Sequence, residues 1–213
     1  MPGSTRSYEF CRRLSAAGHE VHVITTRRDD VRRQKKWDVT ELSGVTIHWY
    51  PIPYDNAMGF FKRLSAFSSF AILSFFRLLS LRPDACFATS TPLTVAFPVI
   101  FARLFAFTPY IFEVRDLWPK VPIAMGIIRN PVLKFTAICL EWLAYRYSEH
   151  IIALSPDMAK GIKARCNKAS DKVSVIPNSC DIELFSHIEV DSSSVSKSAW
   201  LPTNLRNSNF ILY

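Results

Sequence analysis

Glu113, Arg115 and Asp116 stand at the end of a short apolar run, residues 110–114, that reads as a β-strand. Charged side chains placed together at a strand's end can bind or move protons for a ligand lying beyond the sheet. Arg115 cannot serve as a base near neutral pH, because a guanidinium stays protonated. It is suited to hold a phosphate or carboxylate. Asp116 is suited to accept a hydrogen bond from a hydroxyl. Glu113 either faces the same opening or forms a structural ion pair with Arg115.

Two further groups have the right chemistry. Gly3, Ser4 and Thr5 lead directly into a predicted helix. The free N–H groups and dipole at a helix start favour an anion, so this loop is a candidate phosphate cradle. The plainer alternative is that Ser4 or Thr5 only caps the helix. Ser90 and Thr91 end another predicted strand. They either bond the hydroxyls of a ligand or cap the helix beginning at Pro92 or Leu93.

Histidines His19, His22, His48 and His150 fall in strands or in the turn before one, without metal-site or nucleophile–base spacing, so structural roles are expected. The reading therefore includes no metal and no cofactor. Neither a Walker loop nor a G-x-G-x-x-G is present, which argues against a kinase or a nicotinamide enzyme.

The elements that must position these residues alternate in type. Helices are expected at residues 4–17, 59–80, 93–105, 131–147 and 156–166. Strands are expected at 21–26, 45–49, 84–88, 110–114, 150–154 and 172–176. Residues 27–43, rich in Arg and Lys, are expected to form a surface loop. Such alternation predicts an α/β domain with a mostly parallel sheet and helices on both faces. Gly18 sits where a helix-ending left-handed residue is favoured.

In the segment 59–80, Phe60, Leu64, Phe67, Ala71, Phe75 and Leu78 recur on one helical face. Phe61, Ile72, Phe76 and Leu79 widen the apolar arc beyond one sheet contact. An ordinary packed helix and a helix lying on a membrane surface are both consistent with that pattern. Residues 85–102 are uncharged, yet Thr89-Ser90-Thr91-Pro92 and Pro98 break them into strand, loop and helix, so no membrane span is predicted.

The 213 residues suffice for one substantial core, and 49% hydrophobic with 21% charged residues is a globular composition. The net charge of +8 fits an anionic lipid surface, a phosphorylated substrate or scattered solubilising charge. No zinc-finger spacing or RNA-binding signature accompanies it, so no nucleic-acid partner is expected. Five widely spaced cysteines fit reduced thiols in the cytosol.

Taken in order, several blocks resemble the family 4 glycosyltransferases of the GT-B fold, nearest to bacterial O-antigen and capsule enzymes of the L-fucosamine transferase type. They are Gly3-Ser4-Thr5-Arg6-Ser7-Tyr8-Glu9-Phe10, Ala17-Gly18-His19-Glu20-Val21, Ala88-Thr89-Ser90-Thr91-Pro92, Phe112-Glu113-Val114-Arg115-Asp116-Leu117-Trp118-Pro119, Ile152-Ala153-Leu154-Ser155-Pro156 and Ile176-Pro177-Asn178-Ser179-Cys180-Asp181. The resemblance covers about residues 3–185.

It implies a Rossmann-like, acceptor-side domain at 1–185, a linker at 186–208, and at 209–213 the start of a donor domain that lies beyond Tyr213. It also implies a first strand preceding Gly3, whose place is taken by Met1-Pro2, leaving two strand edges unpaired. Ser179 replaces a glycine usual in the last block, a hinge motif whose Asn178 the resemblance makes a candidate substrate-binding residue.

The activity implied is transfer of a sugar from a nucleotide-sugar donor, with retention, to a saccharide or a polyprenyl-diphosphate-linked acceptor. The setting implied is the cytoplasm or the inner face of the plasma membrane, with contact through 59–80. Without the donor domain, little turnover by the chain alone is expected. The alternative is a noncatalytic membrane-surface or subunit-interaction module.

Overall fold

The computed structural model describes residues 6–27, 36–53, 55, 58–90 and 92–179, apart from the side chains of Phe60 and Ser170. Gly3, Ser4, Thr5, Thr91 and the expected linker and terminal strand lie outside the described residues. The chain divides after Asn178, and of the second unit only Ser179 is described.

The chain opens with helix α1 (Arg6–Ala16), which leads through Gly18, at φ 93°, into strand β1 (Val21–Arg27). Strands β2 (Asp38–Leu42) and β3 (Val45–Pro51) follow. β1 pairs parallel with β3, and β2 pairs antiparallel with β3. The sequence reading placed a loop over 27–43, and the hairpin corrects it. Ser43 and Gly44 take φ values of 53° and 74°, the paired positive angles that let a two-residue turn follow the twist of its strands. The heavy charge of residues 27–36 hid the short run Asp38-Val39-Thr40-Glu41-Leu42.

Helix α2 (Phe60–Leu81) leads to β4 (Cys86–Thr89). A short 3₁₀ turn and α3 (Ala96–Phe105) precede β5 (Tyr110–Val114). Next come α4 (Lys120–Ala124), which the sequence reading did not include, and α5 (Pro131–Tyr147). The chain continues with β6 (His150–Ala153), α6 (Pro156–Arg165) and β7 (Val173–Val175). β4, β5, β6 and β7 form a four-stranded, all-parallel sheet in that spatial order. The uncharged stretch 85–102 is thus β4, turn and most of α3.

Parallel strands are buried on both faces, so they read as continuous apolar runs. Phe112, Val114, Ile151 and Ala153 are almost fully buried, and Val99, Ile100, Tyr145 and Ile162 close over them from α3, α5 and α6. This is the Rossmann-like α/β architecture expected, with helices flanking the sheet. Among the described residues β1 pairs only with β3 and β4 only with β5, so the strands fall into two sheets. Side chains cross between them: Ile24 of β1 packs on the core of the four-stranded sheet, and the rings of Phe10 and Phe87 lie 5.9 Å apart.

α2 is the one described helix long and apolar enough to cross a membrane by length and composition. Ala66, Ala71, Ser74 and Leu78 turn inward, and Arg77 bonds to His48 of β3. Those contacts make it a helix of this domain. Phe61, Ile72 and Phe76 lie exposed at 81%, 49% and 63%.

Candidate functional site

The carboxyl ends of β4 and β5 bring Ser90, Glu113, Arg115 and Asp116 to one end of the sheet. Thr89 and Glu113 are register partners across the two strands. The Thr89 hydroxyl donates to Glu113 Oε2 at 2.8 Å, and Arg6 Nε donates to Glu113 Oε1 at 2.7 Å. Both carboxylate oxygens are therefore engaged, and the residue is 1% exposed. Glu113 neither opens to solvent nor pairs with Arg115; its ion-pair partner is Arg6.

Arg6 does more than neutralise that carboxylate. Its Nη1 and Nη2 donate to the carbonyls of Pro177 and Ile176 at 2.8 and 2.9 Å, and its guanidinium lies 4.8 Å from the Phe10 ring centroid. One side chain thus joins α1, β5 and the segment leaving β7. It holds the backbone of Ile176 and Pro177 beside the end of β5. Sequence reasoning did not single out Arg6. A cation in the first turn of a helix opposes the helix dipole, and that disfavoured placement was the available signal.

Ser90 is 2% exposed. Its N–H donates to Glu113 O at 2.8 Å, and its hydroxyl accepts from the Arg115 N–H at 2.9 Å. The hydroxyl therefore locks the Arg115 backbone. It does not reach outward to a ligand, nor cap the following turn, whose capping residue Pro92 carries no side-chain bond. Arg115 and Asp116 are exposed. The Asp116 carbonyl accepts from Trp118 N at 2.8 Å, ahead of a cis Trp118–Pro119 bond. Asn178 is also exposed. The result is a rigid platform, Glu113–Arg6–Ser90, that presents Arg115 and Asp116 at the strand ends, where ligands of parallel sheets bind.

Two further polar systems lie away from this end, each with one nearly buried member, His48 and Glu141. Glu20, His22, His48 and Arg77 form a chain. Arg77 donates to His48 Nδ1 from Nη2 at 2.8 Å and from Nε at 3.2 Å. A ring nitrogen that accepts from Arg must be unprotonated, so the His48 proton sits on Nε2 and faces His22 Nδ1 at 3.1 Å. His22 Nε2 in turn faces Glu20 at 3.0 Å. Burial, the Arg77 charge and then His22 lower the His48 pKa to about 4. The second system is Glu141 of α5, 2% exposed, accepting from Tyr145 at 3.2 Å with Arg165 of α6 at 3.6 Å. Burial raises its pKa, opposed by Arg165 and the Tyr145 bond. The first ties β1 and β3 to α2, and the second ties α5 to α6. Among the described residues no group of three or more His, Cys, Asp or Glu could hold a metal ion.

A recess of about 260 Å³ occupies the opposite end of the sheet, lined by Arg103, Arg146, Tyr147, Ser148, Glu149 and Lys172. These residues immediately precede β5, β6 and β7.

Residues 3–179 match the family described as Glycosyl transferase 4-like domain. No curated protein matches the chain.

Proposed function

The chain belongs to the glycosyl transferase 4-like family, and from that premise we propose that it forms the acceptor side of a retaining sugar transfer. The donor is a nucleotide sugar. The acceptor is a sugar carried on a polyprenyl diphosphate, as in assembly of O-antigen or capsule. One observation carries the reading: Arg115 and Asp116 stand exposed at the carboxyl end of β5, on a backbone that the buried Ser90 hydroxyl holds in place.

In that arrangement Arg115 binds a phosphate oxygen of donor or acceptor as a fixed fork of donors. Asp116 accepts from an acceptor hydroxyl and draws off its proton as the new bond forms. Glu113 positions both from beneath through Arg6 and Ser90. Asn178, beside the carbonyls held by Arg6, donates or accepts at the rim. A polyprenyl acceptor stays in the bilayer, and the exposed Phe61, Ile72 and Phe76 of α2 support a peripheral location at the inner face of the plasma membrane.

The test is sugar transfer from a panel of nucleotide sugars to a polyprenyl-diphosphate sugar, using the full protein. Asp116→Ala is expected to lower kcat/KM at least about tenfold, and Arg115→Gln to raise KM, with melting temperatures unchanged. Equal rates for the Asp116→Ala variant and the parent would remove Asp116 from the chemistry.

A further inference from the structure

The recess at the amino ends of β5, β6 and β7 does not belong to the sugar-transfer end. Its lining carries three cations, Arg103, Arg146 and Lys172, against one acid, Glu149. Lys172 Nζ donates to the carbonyls of Arg146 and Ser148. An ammonium has three donors, so one remains for a ligand. Arg146 lies 5.7 Å over the Tyr147 ring, a cation–π contact that leaves its N–H edge available. Arg103 is only loosely committed, at 3.3 Å from Glu149 and 3.4 Å from the Phe107 carbonyl. Burial holds the Lys172 pKa below its ordinary value, so an arriving anion meets a partly desolvated charge.

The residues beside this recess are apolar and exposed. Arg103 reaches the backbone of Phe107, whose side chain is 80% exposed; Phe105 is 69% exposed and Leu104 45%. From there aromatic rings continue without a break. Phe105 meets Phe101 at 5.8 Å, Phe101 meets Phe75 of α2 at 6.0 Å, and Phe75 meets Phe76 at 5.5 Å. A recess lined by three cations and one acid, with an exposed aromatic edge, complements one kind of surface: charged phosphates in a plane with hydrocarbon directly behind them.

We propose that this end of the domain is a docking site for an anionic phospholipid, with the headgroup phosphate in the Arg103–Arg146–Lys172 recess and Phe105 and Phe107 inserted among the acyl chains. It deepens the membrane reading above by naming the headgroup site and the inserted residues, and it is independent of which sugar is transferred. The overall charge of +8 favours the same surface. The aromatic strip lays α2 and α3 along the bilayer boundary, as interfacial helices lie.

Flotation of the full chain on vesicles of phosphatidylcholine, alone or mixed with phosphatidylglycerol, tests the site. The expected result is strong binding only to the mixed vesicles. Each recess cation removed should weaken it about fivefold, so the double variant Arg103→Gln, Arg146→Gln should lose about twenty-five-fold. Phe105→Ser with Phe107→Asn should also abolish flotation; Asn suits the φ of 55° at position 107. Phe135→Ser, exposed on α5 away from the recess, should bind as the parent does.

Unchanged binding in the double arginine variant overturns the site. So does competition by free glycerol phosphate combined with insensitivity to the phenylalanine changes, which would mark a soluble-phosphate pocket. Self-association that depends on Phe105 and Phe107 without flotation would assign the surface to a second copy of the chain and likewise overturn it. Loss of flotation on Phe61→Ser alone, with the recess variants silent, would leave α2 as the anchor and reject the headgroup site. Sugar transfer to a soluble acceptor is a separate readout, so failure of docking and failure of the transferase reading are told apart.

Discussion

The chain from Arg77 to Glu20 gives a quantitative expectation for acid. His48 is almost fully buried and holds its imidazole neutral because Nδ1 accepts from Arg77 while Nε2 faces His22. Protonation would place a cation against the Arg77 guanidinium of α2, with the second ring of β1 on its other side and Glu20 reachable only through that ring. Trp37, whose ring lies 5.6 Å from Arg77, offers no counter-charge.

The folded pKa is about 4 against an ordinary 6.5. A group whose basic form is favoured by folding binds its proton more readily in the unfolded chain. Its contribution is therefore complete above about pH 6.5, falls as pH drops toward 4, and levels off below that. With those two pKa values, the loss is about 2 kcal/mol at pH 5 and about 3 kcal/mol at pH 4.

Carboxylates titrate in the same range, so the measurement is a difference. Urea unfolding of the parent and of His48→Gln, from pH 7.5 to 4.5, isolates the histidine. The glutamine carbonyl can still accept from Arg77 and its amide can still face His22, but it cannot titrate. Gln is expected to be the less stable protein at pH 7.5, with the gap closing by about 2 kcal/mol at pH 5. Parallel pH curves, or an imidazole titration by NMR near the ordinary value, would refute the orientation of the whole chain.

Other expectations follow from the same contacts. Glu113→Gln leaves Arg6 half-buried without its counter-charge, and breaking such a pair costs about 3–5 kcal/mol; urea unfolding should show it, and transfer should fall because the platform under Arg115 loosens. Gly44→Ala combines φ of 74° with a Cβ placed 2.5 Å from Ser15 Oγ. A loss of about 1–3 kcal/mol is expected by thermal melting. Asn130 caps α5 by accepting from Val132 N and Leu133 N, so Asn130→Ala should cost about 1 kcal/mol without changing transfer.

Most elements of the four-stranded sheet were legible because parallel strands buried on both faces leave largely apolar runs, such as Ile151-Ile152-Ala153 and Tyr110-Ile111-Phe112-Glu113-Val114, in which Glu113 is the one charged member. The β2–β3 hairpin was less legible, since Asp38-Val39-Thr40-Glu41-Leu42 is exposed along its whole length and no face had to be hydrophobic. Ser43-Gly44 was its one clear mark. α4 is a single turn and a half after Pro119, too short to show a period.

The site divides along a different line. Sequence patterns located the strand ends where chemistry could sit, and Glu113, Ser90, Arg115 and Asp116 do share one end of the sheet. They could not tell which of these point inward, because that depends on partners far away in the chain. Glu113 faces Arg6 across 107 positions, and Ser90 faces the Arg115 N–H across 25. A carboxylate sealed by an arginine and a threonine is a support, so any acid–base work at this end passes to the residue left exposed above it. Among the described residues at the β5 terminus that carboxylate is Asp116, which makes Asp116→Ala the substitution most informative about the reaction. Glu113→Gln then separates the two roles: a support that fails lowers stability and transfer together, whereas a reacting carboxylate would lower transfer alone.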